Sequence, residues 1–172
     1  MNNRNHTTKK RKDFVQIPVS ITPILLLWLL SSILLINVRQ LSFTADEPAH
    51  IAAGYAYLAR YTTWPAPLHG HPPLIEAWEA LPLYIGQPNI PVEQLDGWGT
   101  NVSYFVKDFV SYLSPNVERA EFVTRTPTLL LTVILAATVF RWAKELWGTA
   151  GGHLALIVVL CDPTLLGHGV LA

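Results

Sequence analysis

The residues best suited to chemistry cluster in one short stretch, Phe43-Thr44-Ala45-Asp46-Glu47-Pro48-Ala49-His50. Adjacent carboxylates followed by proline make a single acidic point. A carboxylate so placed would take a proton from an acceptor hydroxyl or hold a cation. The same residues also read as a helix start, with Asp46 at the N-cap and Glu47 and Pro48 in the first turn. Thr44 and Glu47 have capping-box spacing, but a helix begun at Thr44 would place Pro48, which lacks an N–H, inside it. His50 lies four residues after Asp46 and shares a helix face with it if Asp46 is near-helical. A second stretch, His69-Gly70-His71-Pro72-Pro73-Leu74, carries two imidazoles. His71, stiffened by the Pro-Pro pair, would present its ring to an anionic headgroup or phosphate; the bland alternative is a solvated loop histidine. His50, His69 and His71 are metal-ligand types together with Asp46 or Glu47. No ligand spacing fixes such a site, and no metal is assigned. Arg125, at the outer end of an apolar run, reads as an interfacial anchor before it reads as a ligand. Asn101-Val102-Ser103 is a glycosylation triplet, relevant only to a luminal loop in a eukaryote.

The elements that position these residues follow from composition. Of 172 residues, 51% are hydrophobic and 14% charged, well below the roughly 25% charged of a soluble domain. That apolar content excludes disorder, and the single cysteine, Cys161, excludes a disulfide scaffold. Five of the 12 basic residues (Arg4, Lys9, Lys10, Arg11, Lys12) fall in the first 12 positions, and the remaining charge is net negative. A nucleic-acid partner is therefore not expected. The expectation is an α-helical integral membrane protein with about three transmembrane helices and interfacial helices in its first outer loop. Residues 14–38 carry no charge and exceed the roughly 20 residues needed to span a bilayer. The basic tail 1–13 places the N-terminus in the cytoplasm by the positive-inside rule. The segment 39–121 then lies outside, with four basic residues against nine acids. A second span is expected at 122–141, assisted by snorkelling of Arg125 and Arg141, then a cytoplasmic turn at 142–147. A third span follows at 148–161, with an outer turn at 162–172. Within the outer segment, Pro48–Tyr61 and Pro72–Ile85 read as helices, the second lying at the membrane interface. The stretch Gln87–Pro115, rich in Pro, Gly and Asn, reads as a loop. The expected location is a multi-pass inner membrane protein with loop 39–121 on the outer face.

Taken in order, these motifs resemble a known family. A basic start and one span precede Asp46-Glu47-Pro48-Ala49-His50 and Ile51-Ala52-Ala53-Gly54-Tyr55-Ala56-Tyr57-Leu58; His71-Pro72-Pro73-Leu74 and Ala80-Leu81-Pro82-Leu83 follow. This is similar to the N-terminal part of polyprenyl-phosphate-sugar-dependent membrane glycosyltransferases of the C-type (GT-C) fold, the group of the protein O-mannosyltransferases and the lipid A aminoarabinose transferases. Arg125-Thr126-Pro127, Leu146-Trp147-Gly148 and Asp162-Pro163-Thr164-Leu165-Leu166-Gly167-His168-Gly169 look like the family's second and third spans and the turn after them. The resemblance implies transfer of a sugar from a polyprenyl-phosphate donor to a lipid, glycan or protein acceptor hydroxyl on the outer face. Asp46 takes the catalytic carboxylate's place, with Glu47 in support, and His50, His71 and Arg125 are the expected substrate-binding residues. No cofactor is certain, and the resemblance leaves a divalent cation open. Relatives are several times longer, and Val170 stands where they commonly carry a basic residue. The expectation is thus an N-terminal fragment, inactive alone. The alternative is a small non-catalytic multi-pass membrane protein whose outer loop binds a partner or lipid.

Overall fold

The computed structural model describes residues 21–59 and 73–171, and the regular elements among the described residues are all helices, with no strand. Helix α1 is Thr22–Gln40, α2 Glu47–Leu58, α3 Pro73–Gly86, α4 Val102–Leu113, α5 Val117–Cys161 and α6 Pro163–His168. Two helical stretches, Thr22–Gln40 and one within Val102–Leu160, are long and apolar enough to cross a membrane. Trp28, Leu25 and Leu29 on α1 and Ile134, Leu135 and Leu146 on α5 lie exposed. Apolar faces of that extent suit contact with lipid.

Helix α5 has 45 residues, roughly 67 Å at 1.5 Å per residue and about twice the hydrocarbon thickness of a bilayer. It is not one rod. Gly148 takes φ 73° and ψ −175°, which breaks the helix, and glycine reaches that region without a Cβ penalty. The arm 149–161 folds back along the arm 117–147: Phe140 meets His153 edge-on at 5.5 Å, and Thr132 Oγ1 donates to Gly169 O at 3.2 Å. Residues 142–147, expected as a turn, are helical, because Gly148 alone makes the reversal. Asp162 starts α6, accepting from Thr164 N and Leu165 N.

Two cores result. One joins α1, both arms of α5 and the chain's end through Leu30, Leu34, Leu129, Ala136, Leu156 and Val170. The other lies in the segment between α1 and α5, through Ile51, Tyr55, Ala80, Leu83, Phe105 and Phe109. The second core corrects one expectation: the stretch read as a loop contains α4. Val102, Phe105, Val106, Phe109 and Leu113 recur at helical spacing and pack inward, and Asn101 Oδ1 caps the helix by accepting from Tyr104 N at 3.2 Å. Pro, Gly and Asn are confined to its flanks, and averaging over the whole stretch hid the period. The helix expected at Pro48–Tyr61 begins one residue earlier and runs to Leu58. The helix expected at Pro72–Ile85 is Pro73–Gly86.

Candidate functional site

The site lies where the two cores meet, and a single stripe of α5 assembles it. Glu121, Arg125 and Thr128 stand at i, i+4 and i+7 on one helix face. Glu121 Oε1 accepts from Phe43 N at 3.0 Å. Arg125 is fully buried. Its Nε donates to Glu47 Oε1 at 2.8 Å, and its Nη2 to Glu47 Oε2 at 2.7 Å and to Ser42 O at 2.8 Å. Its Nη1 reaches Leu41 O and Val38 O. A guanidinium has five N–H donors, and these five contacts use them all. The Phe43 ring stands 5.9 Å from the guanidinium carbon. Arg125 is thus not a side chain reaching out to headgroups, as snorkelling required. It ties the end of α1, the turn 41–46 and the start of α2 to α5.

Glu47 is the other half of that tie. It is 1% exposed, and Oε2 also accepts from Thr44 N at 2.7 Å. This is the glutamate arm of a capping box, so the Thr44–Glu47 spacing is used, although the helix starts after Asp46 and not at Thr44. The bidentate geometry suits a charge-assisted pair, with both carboxylate oxygens committed to Arg125.

Asp46 is different. It occupies the N-cap position, but at φ −100° and ψ −27°, outside the extended region from which an N-cap side chain reaches back. Its carboxylate makes no capping hydrogen bond and is exposed. The backbone carbonyl alone starts the helix, accepting from Ala49 N and His50 N. The acid therefore sits on a rigidly held turn without contributing to it.

A buried acidic layer lies beneath. Helices α2 and α3 touch at Gly54, where a Cβ would stand 2.0 Å from Glu76 O and 2.3 Å from Glu76 C. That approach brings Glu76 Oε1 to 3.2 Å from His50 Nδ1, one turn before Gly54. Glu76 and Glu79, three apart on α3, are both buried. Glu76 Oε2 has no hydrogen-bond partner among the described residues, and Glu79 Oε1 lies 3.5 Å from Thr128 Oγ1. Burial pushes the Glu79 carboxyl up from 4.5 to about 7; the neighbouring Glu47 and Glu76 add to the rise, while His50 and the Thr128 hydroxyl oppose it. Sequence reasoning counted Glu76 and Glu79 only among the outer-segment charges. The available signal was two acids on one face of an otherwise apolar helix, a pattern that demands buried partners.

The structure therefore brings Glu47, His50 and Arg125 into one region beside Asp46, and His71 lies outside the described residues. No group of three or more His, Cys, Asp or Glu side chains among the described residues is arranged to hold a metal ion. No family model, curated protein or solved structure matches the chain.

Proposed function

We propose that this chain carries the acceptor-activating part of a membrane glycosyltransferase, working at the outer face on a polyprenyl-phosphate-linked sugar. The observation that carries the reading is Asp46, an exposed carboxylate on a turn fixed by Glu47 and Arg125 and spared from the capping role its position would suggest. The resemblance of the motif order supports it. In this reading Asp46 takes the proton of an acceptor hydroxyl, the hydroxyl oxygen bonds to the anomeric carbon, and the bond from that carbon to the lipid phosphate breaks. Glu47 and Arg125 act as positioning residues, since both are buried and bonded to each other. His71 would lie toward the donor phosphate. The three-span topology, with residues 14–38, 122–141 and the shorter third arm crossing the membrane and the N-terminus inside, belongs to the same proposal. The arm 149–161 measures only about 20 Å and would need help from α6 to cross.

The test is transfer of a radiolabelled sugar from polyprenyl phosphate in membranes containing the full-length gene product, because the portion 1–172 is expected to be inactive alone. Asp46→Asn should lower transfer by about 10²–10⁴-fold while leaving thermal stability unchanged, because its side chain holds nothing in place. Wild-type membranes without transfer, or Asp46→Asn membranes with full transfer, refute the assignment. A partner-binding membrane protein would give the first of these results.

A further inference from the structure

We propose that the cleft between the end of α1 and the start of α5 binds the phosphate group of a membrane lipid, held by Arg39 and Arg119. The cleft encloses about 560 Å³, and Arg39, Ser42, Glu118, Arg119, Glu121 and Phe122 are among its lining residues. Only four basic residues occur in 39–121 (Arg39, Arg60, Lys107 and Arg119), against nine acids. Two of those four line the same cleft, so the convergence is not a product of composition.

The two guanidiniums are available. Among the described residues the ion pairs are His50–Glu76, Glu47–Arg125 and Arg141–Glu145, and neither Arg39 nor Arg119 takes part. Of the two acids in the lining, Glu121 is engaged with Phe43 N. The Arg39 guanidinium stands 5.7 Å from the Phe122 ring centroid. That stacking aims the group while leaving its N–H edges to a ligand. Position favours a lipid over a soluble anion. Arg39 ends the apolar helix α1, at the level where headgroups would lie if α1 spans. Val38 and Phe122 supply apolar surface next to the charged rim. A phosphate ester on a lipid tail meets both surfaces. Two arginines match its oxygens by forked hydrogen bonds. The ligand is a phosphate anion on a lipid, and two sources share that chemistry: a bulk phospholipid and a polyprenyl phosphate. The inference rests on α1 spanning the membrane and not on the glycosyltransferase reading.

The experiment is native mass spectrometry of the 172-residue chain in detergent, with equimolar phosphatidylglycerol, phosphatidylcholine and a short prenyl phosphate as competing probes. The expected result is retention of one or both anionic probes at least about tenfold above phosphatidylcholine, since a charged hydrogen bond is worth about that factor. Preference for phosphatidylglycerol identifies a structural lipid, and preference for the prenyl phosphate identifies the carrier. Arg39→Gln and Arg119→Gln should each lower retention about tenfold. The Arg39→Lys/Arg119→Lys chain keeps the charge and should retain more than the glutamine double variant. Both arginines are exposed, so thermal stability should not move. Equal retention of zwitterionic and anionic probes overturns the proposal, as does a glutamine double variant that binds like wild type. An Arg141→Gln control that loses as much would overturn it too, by showing diffuse charge attraction.

Discussion

The Glu47–Arg125 pair yields the sharpest prediction, because its burial and its partners fix the size of the effect. Arg125→Gln removes the cation paired with a carboxylate that is 1% exposed, and it strips donors from three backbone carbonyls at the end of α1. Glu47 would lose both of its contacts to the guanidinium and keep the one from Thr44 N. Breaking a buried pair from one side costs about 3–5 kcal/mol, since the remaining charge is left uncompensated. Arg125→Lys should cost less, about 2 kcal/mol, because three donors on a point charge replace five in a fork. Glu47→Gln should also be severe, leaving the guanidinium charged among neutral acceptors. The double variant Glu47→Gln/Arg125→Gln carries no stranded charge, so its loss should fall about 2 kcal/mol short of the sum of the singles. The assay is equilibrium unfolding by sodium dodecyl sulfate in mixed micelles, followed by tryptophan fluorescence. Additive losses, or a loss below about 1 kcal/mol for Arg125→Gln, would refute the claim that this pair ties α5 to the turn before α2.

Two further outcomes follow from the layer beneath. Gly54→Ala places a methyl against the α3 backbone at Glu76; it should cost about 1–3 kcal/mol and, by forcing the helices apart, lengthen the 3.2 Å contact between His50 and Glu76, read as a change in the NMR chemical shifts of the His50 ring. The Glu79 carboxyl titrates near 7 in the folded chain, against 4.5 as its ordinary value. The folded state therefore holds the extra proton between those values, and stability falls as pH rises through that window. At about 1.4 kcal/mol per pH unit, the span is worth roughly 3 kcal/mol. Glu79→Gln should remove that part of the slope between pH 4.5 and 8 and keep the rest; coincident slopes for the two proteins would show that Glu79 is ionised as usual.

Much of this molecule follows from local pattern. The apolar run ending at Val38 specifies α1. Proline near the start and the acids beside it specify α2, whose first residue is Glu47. The Pro-Pro pair and the apolar residues after it specify α3. Adjacent acids and proline just beyond a long apolar run are an uncommon combination, and they single out Asp46 and Glu47 in the sequence, with the catalytic role of Asp46 left to the proposal above. Helix α4 was missed, although its period is present, because its breaker residues lie in the flanks and dominate any average over the stretch.

What composition and spacing could not determine is which of two adjacent acids is structural. Asp46 and Glu47 are equivalent as letters. Only the packing of α5 against the turn buries Glu47 on Arg125, 78 positions away, and leaves Asp46 outside. The same holds for Glu76 and Glu79, which become a buried layer only because Gly54 lets two helices touch, and for the cleft at Arg39, whose second arginine arrives from another helix. The physical reason is common to all three. A local pattern fixes backbone conformation over a turn or two, but a charge's environment is set by whatever the fold brings against it, and here that comes from distant parts of the chain.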